Sequence, residues 1–303
     1  MQKKQIIIIF LFIFITTNLF SQRNNMWSRN PHEVFFAAGT DNFLGELGGH
    51  DGVGSHSVRD LDFKASRFCF QGGYTFRFAK RWAIGGELSF AMLSGNDKLT
   101  NEYYRNNRNL AFRSPLVEFS PLIYFYPMVE EFSITQKLGQ RGKAITRPRI
   151  FLFTGFSGIW FNPRAQYEGK WYSLRPLGTE GQGIIPTRKK YSRVSFAIPV
   201  GFGLDYPLTR NWMIGFEFSF HYAFTDYIDD VSTTYVDPAI FGDNAVAAYF
   251  SDPTKLNPSA DYPNGFGEQP GSQRGNVRNK DSYMFLSITA RHTFGKKYYR
   301  PKY

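Results

Sequence analysis

Between residues 212 and 224 the chain alternates strictly. Trp212, Ile214, Phe216, Phe218, Phe220, Tyr222 and Phe224 occupy the even positions, with Met213, Gly215, Glu217, Ser219, His221 and Ala223 between them. A helix would scatter the large groups around its axis, whereas a strand sends alternate residues to opposite faces, so the segment predicts a strand with one apolar side. The same period of two sets Phe68, Phe70, Tyr74, Phe76 and Phe78 against Cys69, Gln71, Thr75 and Arg77. It sets Trp82, Ile84, Leu88 and Phe90 against Arg81, Glu87 and Ser89, and Val194, Phe196, Ile198, Val200, Phe202, Leu204 and Tyr206 against Arg193, Ser195, Gly201, Gly203 and Asp205. Weaker alternation opposes Val117, Phe119, Ile123 and Phe125 to Glu118, Ser120 and Tyr124, and Met284, Leu286, Ile288, Ala290 and Phe294 to Ser287, Thr289 and Arg291. Residues 33–43 and 149–161 also read as strands, with ambiguous facing.

Eight strands result, an even number that suits a single-chain bacterial barrel, and each meets the roughly 9 to 11 residues needed to cross a bilayer at a tilt. The expected fold is all-β: an eight-stranded antiparallel transmembrane β-barrel. Tight turns at Ala79–Lys80 and Pro207–Arg210 follow the second and sixth strands, while the links after the first, third, fifth and seventh are long, at about 44–62, 95–109, 162–192 and 227–280. Short turns face the periplasm in such barrels and long loops face outward. Residues 128–148 break the rule, forming a long connection on the turn side that carries Lys137, Arg141, Lys143 and Arg147. Trp82 and Trp212 each open a strand just after a tight turn, where an interfacial aromatic girdle belongs.

Soluble sheets alternate too, with the apolar side turned to a core. Export, the density of rings and the charges opposite them favour lipid as the solvent of the apolar face. Residues 1–21 read as a secretory signal peptide: Lys3 and Lys4 precede an apolar stretch from Ile6 to Ile15, and Ser21 marks the cleavage point. The barrel then covers residues 22–295, and residues 296–303 form a basic periplasmic tail with Lys296, Lys297 and Arg300. With 32 Phe, 18 Tyr and 5 Trp in 303 residues, disorder is excluded. The absence of repeated long apolar runs excludes a bundle of membrane helices. The one cysteine, Cys69, excludes a disulfide framework and a multi-cysteine metal site.

An eight-stranded barrel has an interior just wide enough for side chains to fill it. The inward set contains Arg77, Glu87, Glu118, Glu217, His221 and Arg291, of both signs. Charges buried there must pair to offset their desolvation, which predicts a plug and not a pore.

Gly215 and Glu217, then Tyr222, Phe224, Thr225, Asp226, Tyr227, Asp229, Asp230 and Val231, followed by Arg274, Gly275, Asn276, Lys280, Asp281 and Tyr283, form a signature. Gly39, Asn42, Phe43, Leu44, Gly45 and Leu47 precede it near the start of the chain. Together these residues resemble the PorG family of outer-membrane barrels, over most of the mature chain and most sharply in the TDYIDDVS segment. The resemblance implies a place in the type IX secretion and gliding machinery, associated with a periplasmic ring that contains a lipoprotein. Glu46 stands where the family pattern suggests Asp, and residues 236–273 form a longer loop than expected.

Other chemistries fit the same residues less well. Asp226, Asp229, Asp230 and Asp237 offer oxygen ligands for Ca²⁺, without EF-hand spacing, or else bond loop backbone and pair with Arg274 and Lys280. His50, Asp51, His56, Asp60 and Asp62 match no known metal spacing. Ser219, His221 and Glu217 share a strand face, which suits interior filling better than catalysis because one strand rarely supplies nucleophile, base and orienter together. GFGLDY at 201–206 lacks the third glycine and the following helix of a dinucleotide fingerprint. No cofactor is expected, and no nucleic-acid motif accompanies the net charge of +11. The basic segments 128–148 and 296–303 are expected to dock the periplasmic partner, with outer-membrane lipid as the other contact. The alternative role is a barrel whose outer loops bind a ligand.

Overall fold

The computed structural model describes residues 30–45, 47, 65–99, 103–128, 148–209, 211–255 and 269–295. The signal segment, most of the first long loop with its histidines, Lys137, Arg141, Lys143, Arg147 and the tail with Lys296, Lys297 and Arg300 lie outside them.

Eleven strands form one antiparallel sheet: β1 (His32–Leu44), β2 (Arg67–Ala79), β3 (Trp82–Asn96), β4 (Ala111–Phe125), β5 (Arg149–Gly155), β6 (Ser157–Phe161), β7 (Arg164–Tyr167), β8 (Lys170–Ser173), β9 (Val194–Pro207), β10 (Trp212–Ala223) and β11 (Ser282–Phe294). β5 and β6 are successive halves of one stave, and β7–β8 is a hairpin whose ladder joins the ring at the single pair Arg113↔Arg164. Eight staves remain, each paired with its sequence neighbour, and β11 closes on β1 from Ser282↔Leu44 to Phe294↔His32. Closure leaves no unpaired edge.

The alternation observed in the sequence sorts the two faces of this ring. Phe68 (75% exposed), Ile288 (64%), Phe36, Phe119 and Leu88 point outward, along with most of the other large apolar groups of the staves. In water each would forgo about 1.5–3 kcal/mol of burial, and the continuous belt they make far exceeds the patches that soluble monomers expose. Trp82 and Trp212 lie at the turn end, packed on Phe125 and His292 at 4.8 and 4.7 Å between ring centroids.

The two ambiguous strands have a physical explanation. In β1 the odd positions Glu33, Phe35, Ala37 and Asp41 face inward, and in β5–β6 the odd positions Arg149, Phe151, Phe153, Ser157, Ile159 and Phe161 do. Both inner faces therefore contain rings, so polarity does not separate them from the outer faces. Room for the rings comes from β9, where Gly203 pairs with Phe151 and Gly201 with Phe153. A Cβ at either glycine would run into the ring opposite it.

The stave is broken at Phe156 because both neighbours place a proline there. β4 pairs with β5 from Leu122 and with β6 up to Phe119, leaving Pro121 in the gap, and β9 leaves Pro199 in the matching gap. Neither proline has an N–H to give the ladder. Phe156 N–H donates to the Pro121 carbonyl (3.3 Å), and Thr154 Oγ1 donates to that of Pro199 (2.9 Å). β4 also starts six residues before the clear alternation, and its ladder with β3 continues to Asn96↔Ala111, carrying these two strands toward the loops.

Candidate functional site

The inward side chains stack in layers along the barrel axis. At the turn end three guanidinium groups meet three carboxylates. Arg149, the first residue of β5, donates from Nη1 and Nη2 to the two oxygens of Glu33 in β1 (2.5 and 3.0 Å), and from Nη2 and Nε to Asp205 Oδ2 in β9 (2.6 and 3.1 Å). Arg291 in β11 lies at ion-pair distance from Asp205 (3.2 Å), Glu217 (3.4 Å) and Glu33 (3.8 Å). Arg77 in β2 donates to the Lys80 carbonyl (3.0 Å) and sits over the Tyr126 ring at 4.1 Å. Arg149 also faces Tyr126, and Arg291 faces Phe35 and Phe151, so the cations rest on rings as well as on acids. All six groups are buried.

Above them Glu87 accepts from Gln71 Nε2 and Ser89 Oγ, both at 2.8 Å, and Ser287 Oγ donates to Gln71 Oε1 (2.8 Å). Glu118 accepts from Ser120 Oγ (2.8 Å) and Tyr283 OH (2.8 Å), and lies 3.0 Å from His221 Nδ1. With Nδ1 assigned as the protonated nitrogen, Nε2 accepts from Ser219 Oγ at 2.8 Å. His221 is stacked on Tyr283 at 4.7 Å. The Ser219–His221–Glu118 order is that of a nucleophile relay, with Glu118 from β4 in the place that a reading of one strand assigned to Glu217. Its members are 2%, 2% and 0% exposed, which leaves no room for a substrate atom beside Ser219.

Next comes an apolar layer containing Phe43, Leu93, Phe112, Leu116, Phe161, Ile228 and Phe285, with Phe43 edge-on to Phe112 at 4.9 Å. A polar cap made by the loops after β8 and β10 closes the end. Glu180 Oε1 accepts from the backbone N–H of Ser232 (2.9 Å) and Thr233 (3.1 Å) and from Arg274 Nη1 (3.0 Å), while Oε2 accepts from Thr233 Oγ1 (2.6 Å). Arg274 Nη1 also donates to the Asp230 carbonyl (2.8 Å). Asp230, at φ 68°, accepts from Thr179 Oγ1 (2.5 Å) and Tyr191 OH (2.6 Å). Asp229 Oδ1 holds the Val231 N–H (3.0 Å), Asp281 Oδ2 the Ile228 N–H (2.8 Å), and Asp237 caps a short helical turn through Ala239 N–H.

Burial pushes the Asp230 carboxyl up to about 6, against the pull of Arg274 and its two hydroxyl donors. Burial, reinforced by Asp230, raises the Tyr191 phenol well above its ordinary value. Burial opposes the charge on Arg274, yet Glu180 and Asp230 together hold the guanidinium above its usual range.

Arg77, Glu87, Glu118, Glu217, His221 and Arg291 are thus all buried, but in two groups: Arg77, Glu217 and Arg291 at the turn end, Glu87, Glu118 and His221 in the middle. Asp226, Asp229, Asp230 and Arg274 are buried in the cap, with Tyr227 stacked on Tyr191 at 4.5 Å, while Thr225 accepts the Asp281 N–H through its carbonyl (3.1 Å). Gly275 N–H donates to the Thr233 carbonyl (3.0 Å), and Asn276 Oδ1 caps Arg278 N–H (3.2 Å). Lys280 is half-buried and donates to the Val277 carbonyl. Among the described residues no three His, Cys, Asp or Glu side chains converge as a metal site.

The interior network also contains Glu33, Arg149 and Asp205: the alternation of β9 puts Asp205 on the polar face, but rings on both faces of β1 and β5 hide Glu33 and Arg149. Glu180, which holds Arg274, sits in irregular chain and gave no such signal.

A closed ring of eight staves with a ring-rich exterior and a packed, paired interior is a transmembrane β-barrel. No family model matches the chain, and no curated protein matches it either. Among solved structures it is similar to the outer membrane protein OprG from Pseudomonas aeruginosa, at 12% identity over 90% of this chain and 100% of that one, with a TM-score of 0.37. A major outer membrane protein from Thermus thermophilus matches at 12% identity over 87% and 99% of the two chains, TM-score 0.36. Neisserial surface protein A matches at 9% over 87% and 96%, TM-score 0.35. Likenesses this distant add nothing to what the strand register itself shows.

Proposed function

We propose that the chain is a non-enzymatic barrel of the bacterial outer membrane that anchors or aligns a periplasmic, lipoprotein-containing ring of a type IX secretion or gliding apparatus. The supporting observation is the filled interior. From Arg149 at one end to Arg274 at the other, the inward side chains are almost wholly buried, so no water column runs beside them. A barrel that conducts nothing acts through its ends. In this reading the turns face the periplasm, and the basic segments 128–148 and 296–303 dock the acidic face of the partner. The cap built from Asp226, Asp229, Asp230 and Arg274 accounts for the residues that resemble the PorG family: they hold the longest loop to the barrel.

The test is affinity purification of the full chain from gently solubilised membranes. A periplasmic lipoprotein is expected to co-purify, and deleting residues 296–303 is expected to release it while the barrel still shows heat-modifiable migration. Retention of the partner by the deletion variant, or its absence from the intact complex, would remove the proposal.

A further inference from the structure

At the loop end, where the packed interior meets the cap, the described residues line a cavity of about 300 Å³. It lies between the far ends of β3 and β4, the β7–β8 hairpin, and the short helix Ala245–Ser251. Its floor shares Phe112 with the apolar layer and Asp229 and Arg274 with the cap, and its outer wall is added by the hairpin and the helix. Trp171 is 45% exposed, one side of its indole lies 4.9 Å from the Arg113 guanidinium, and Tyr249 and Phe250 add two further rings. Four cationic residues line it, Arg67, Lys98, Arg113 and Arg274, against one acid, Asp229, whose Oδ1 is held by Val231 N–H. Lys98 and Arg113 make no ion pair among the described residues. Gln166, an exposed amide that both donates and accepts, is also on the lining.

We infer that this cavity binds a small acidic saccharide. A sugar ring presents C–H faces that pack on an indole or phenol, and its hydroxyls both donate and accept, as the Gln166 amide on the lining does. A carboxylate, sulfate or phosphate on the ring would take the unpaired charges of Arg113 and Lys98. The volume lies at the lower end of the range for small-molecule sites, which suits one or two sugar rings and not a folded partner. The site is independent of the proposed anchoring role, because it lies at the opposite end from the basic segments invoked there. Its ligand has two sources, a free acidic sugar or the sugar headgroup of an envelope glycolipid, and both present the same chemistry.

The experiment is titration of the detergent-solubilised full chain with digalacturonate and with neutral digalactose, followed by tryptophan fluorescence and calorimetry. Digalacturonate is expected to bind at least tenfold more tightly, and to weaken with added salt. Trp171→Ala and Arg113→Gln alter exposed side chains, so heat-modifiable migration should persist while affinity falls at least tenfold in each. Equal binding of the two sugars, no binding of either, or undiminished affinity in both variants would overturn the inference. In nanodiscs, displacement of digalacturonate by co-embedded lipopolysaccharide would assign the site to the headgroup, and undisturbed binding would assign it to a free saccharide.

Discussion

The barrel contains two buried arginine–carboxylate assemblies built on opposite plans. At the turn end, Arg77, Arg149 and Arg291 face Glu33, Asp205 and Glu217, and these six residues come from six different staves. At the loop end, Arg274 is matched to Glu180 and Asp230 by irregular chain, and the carboxylate of Glu180 holds two backbone N–H groups as well as the cation. The first assembly ties staves together, so its charges are structural members of the ring. The second ties loops to each other and to the rim. Loss of the first should be felt by the whole barrel, and loss of the second by the cap alone.

Arg149→Met is the harshest test of that difference. It leaves Glu33 and Asp205 buried with one cation fewer, a loss of about 3–5 kcal/mol, and is expected to lower the urea midpoint of the entire barrel in micelles. Glu180→Gln removes a comparable pairing from Arg274, but its effect should stay local: faster protease cleavage between residues 178 and 255, with the global urea transition shifted little. An equal global shift for both variants would erase the distinction.

Asp230 sharpens it further. Its folded value of about 6 lies above the ordinary aspartate value of 3.8, so the folded cap retains the proton that the open cap loses between those limits. The stabilisation it contributes is complete below about 4 and is lost as pH rises through about 6. Loop cleavage is therefore expected to quicken from pH 5 to pH 7.5 by about tenfold. Asp230→Asn, which keeps acceptor capacity and tolerates φ 68°, should lack that dependence. Ser219→Ala should be the mildest change. It removes one hydrogen bond to His221, about 1 kcal/mol; a measurable loss of hydrolysis by the purified barrel would make the buried relay catalytic.

Legibility in the sequence followed the same divide. Period-two patterning was plain in β2, β3, β9 and β10 because their inner faces are small or polar and their outer faces are ring-rich. It blurred in β1 and β5–β6, where Phe35, Phe151 and Phe153 fill the lumen and make both faces apolar. Glu33 and Arg149 were hidden by those rings. Glu180 was hidden differently: its position depends on the path of a loop, which has no period. The cavity around Trp171 draws on segments from residue 47 to residue 274, a conjunction that only the folded chain reveals.

β11 is hydrogen-bonded to β10 on one side and β1 on the other, and Arg291 on it reaches acids in β1, β9 and β10. The keystone thus arrives after every other stave. A growing polypeptide cannot complete the ring, bring a cation to Glu217 or shield its sheet margins until this segment has been delivered.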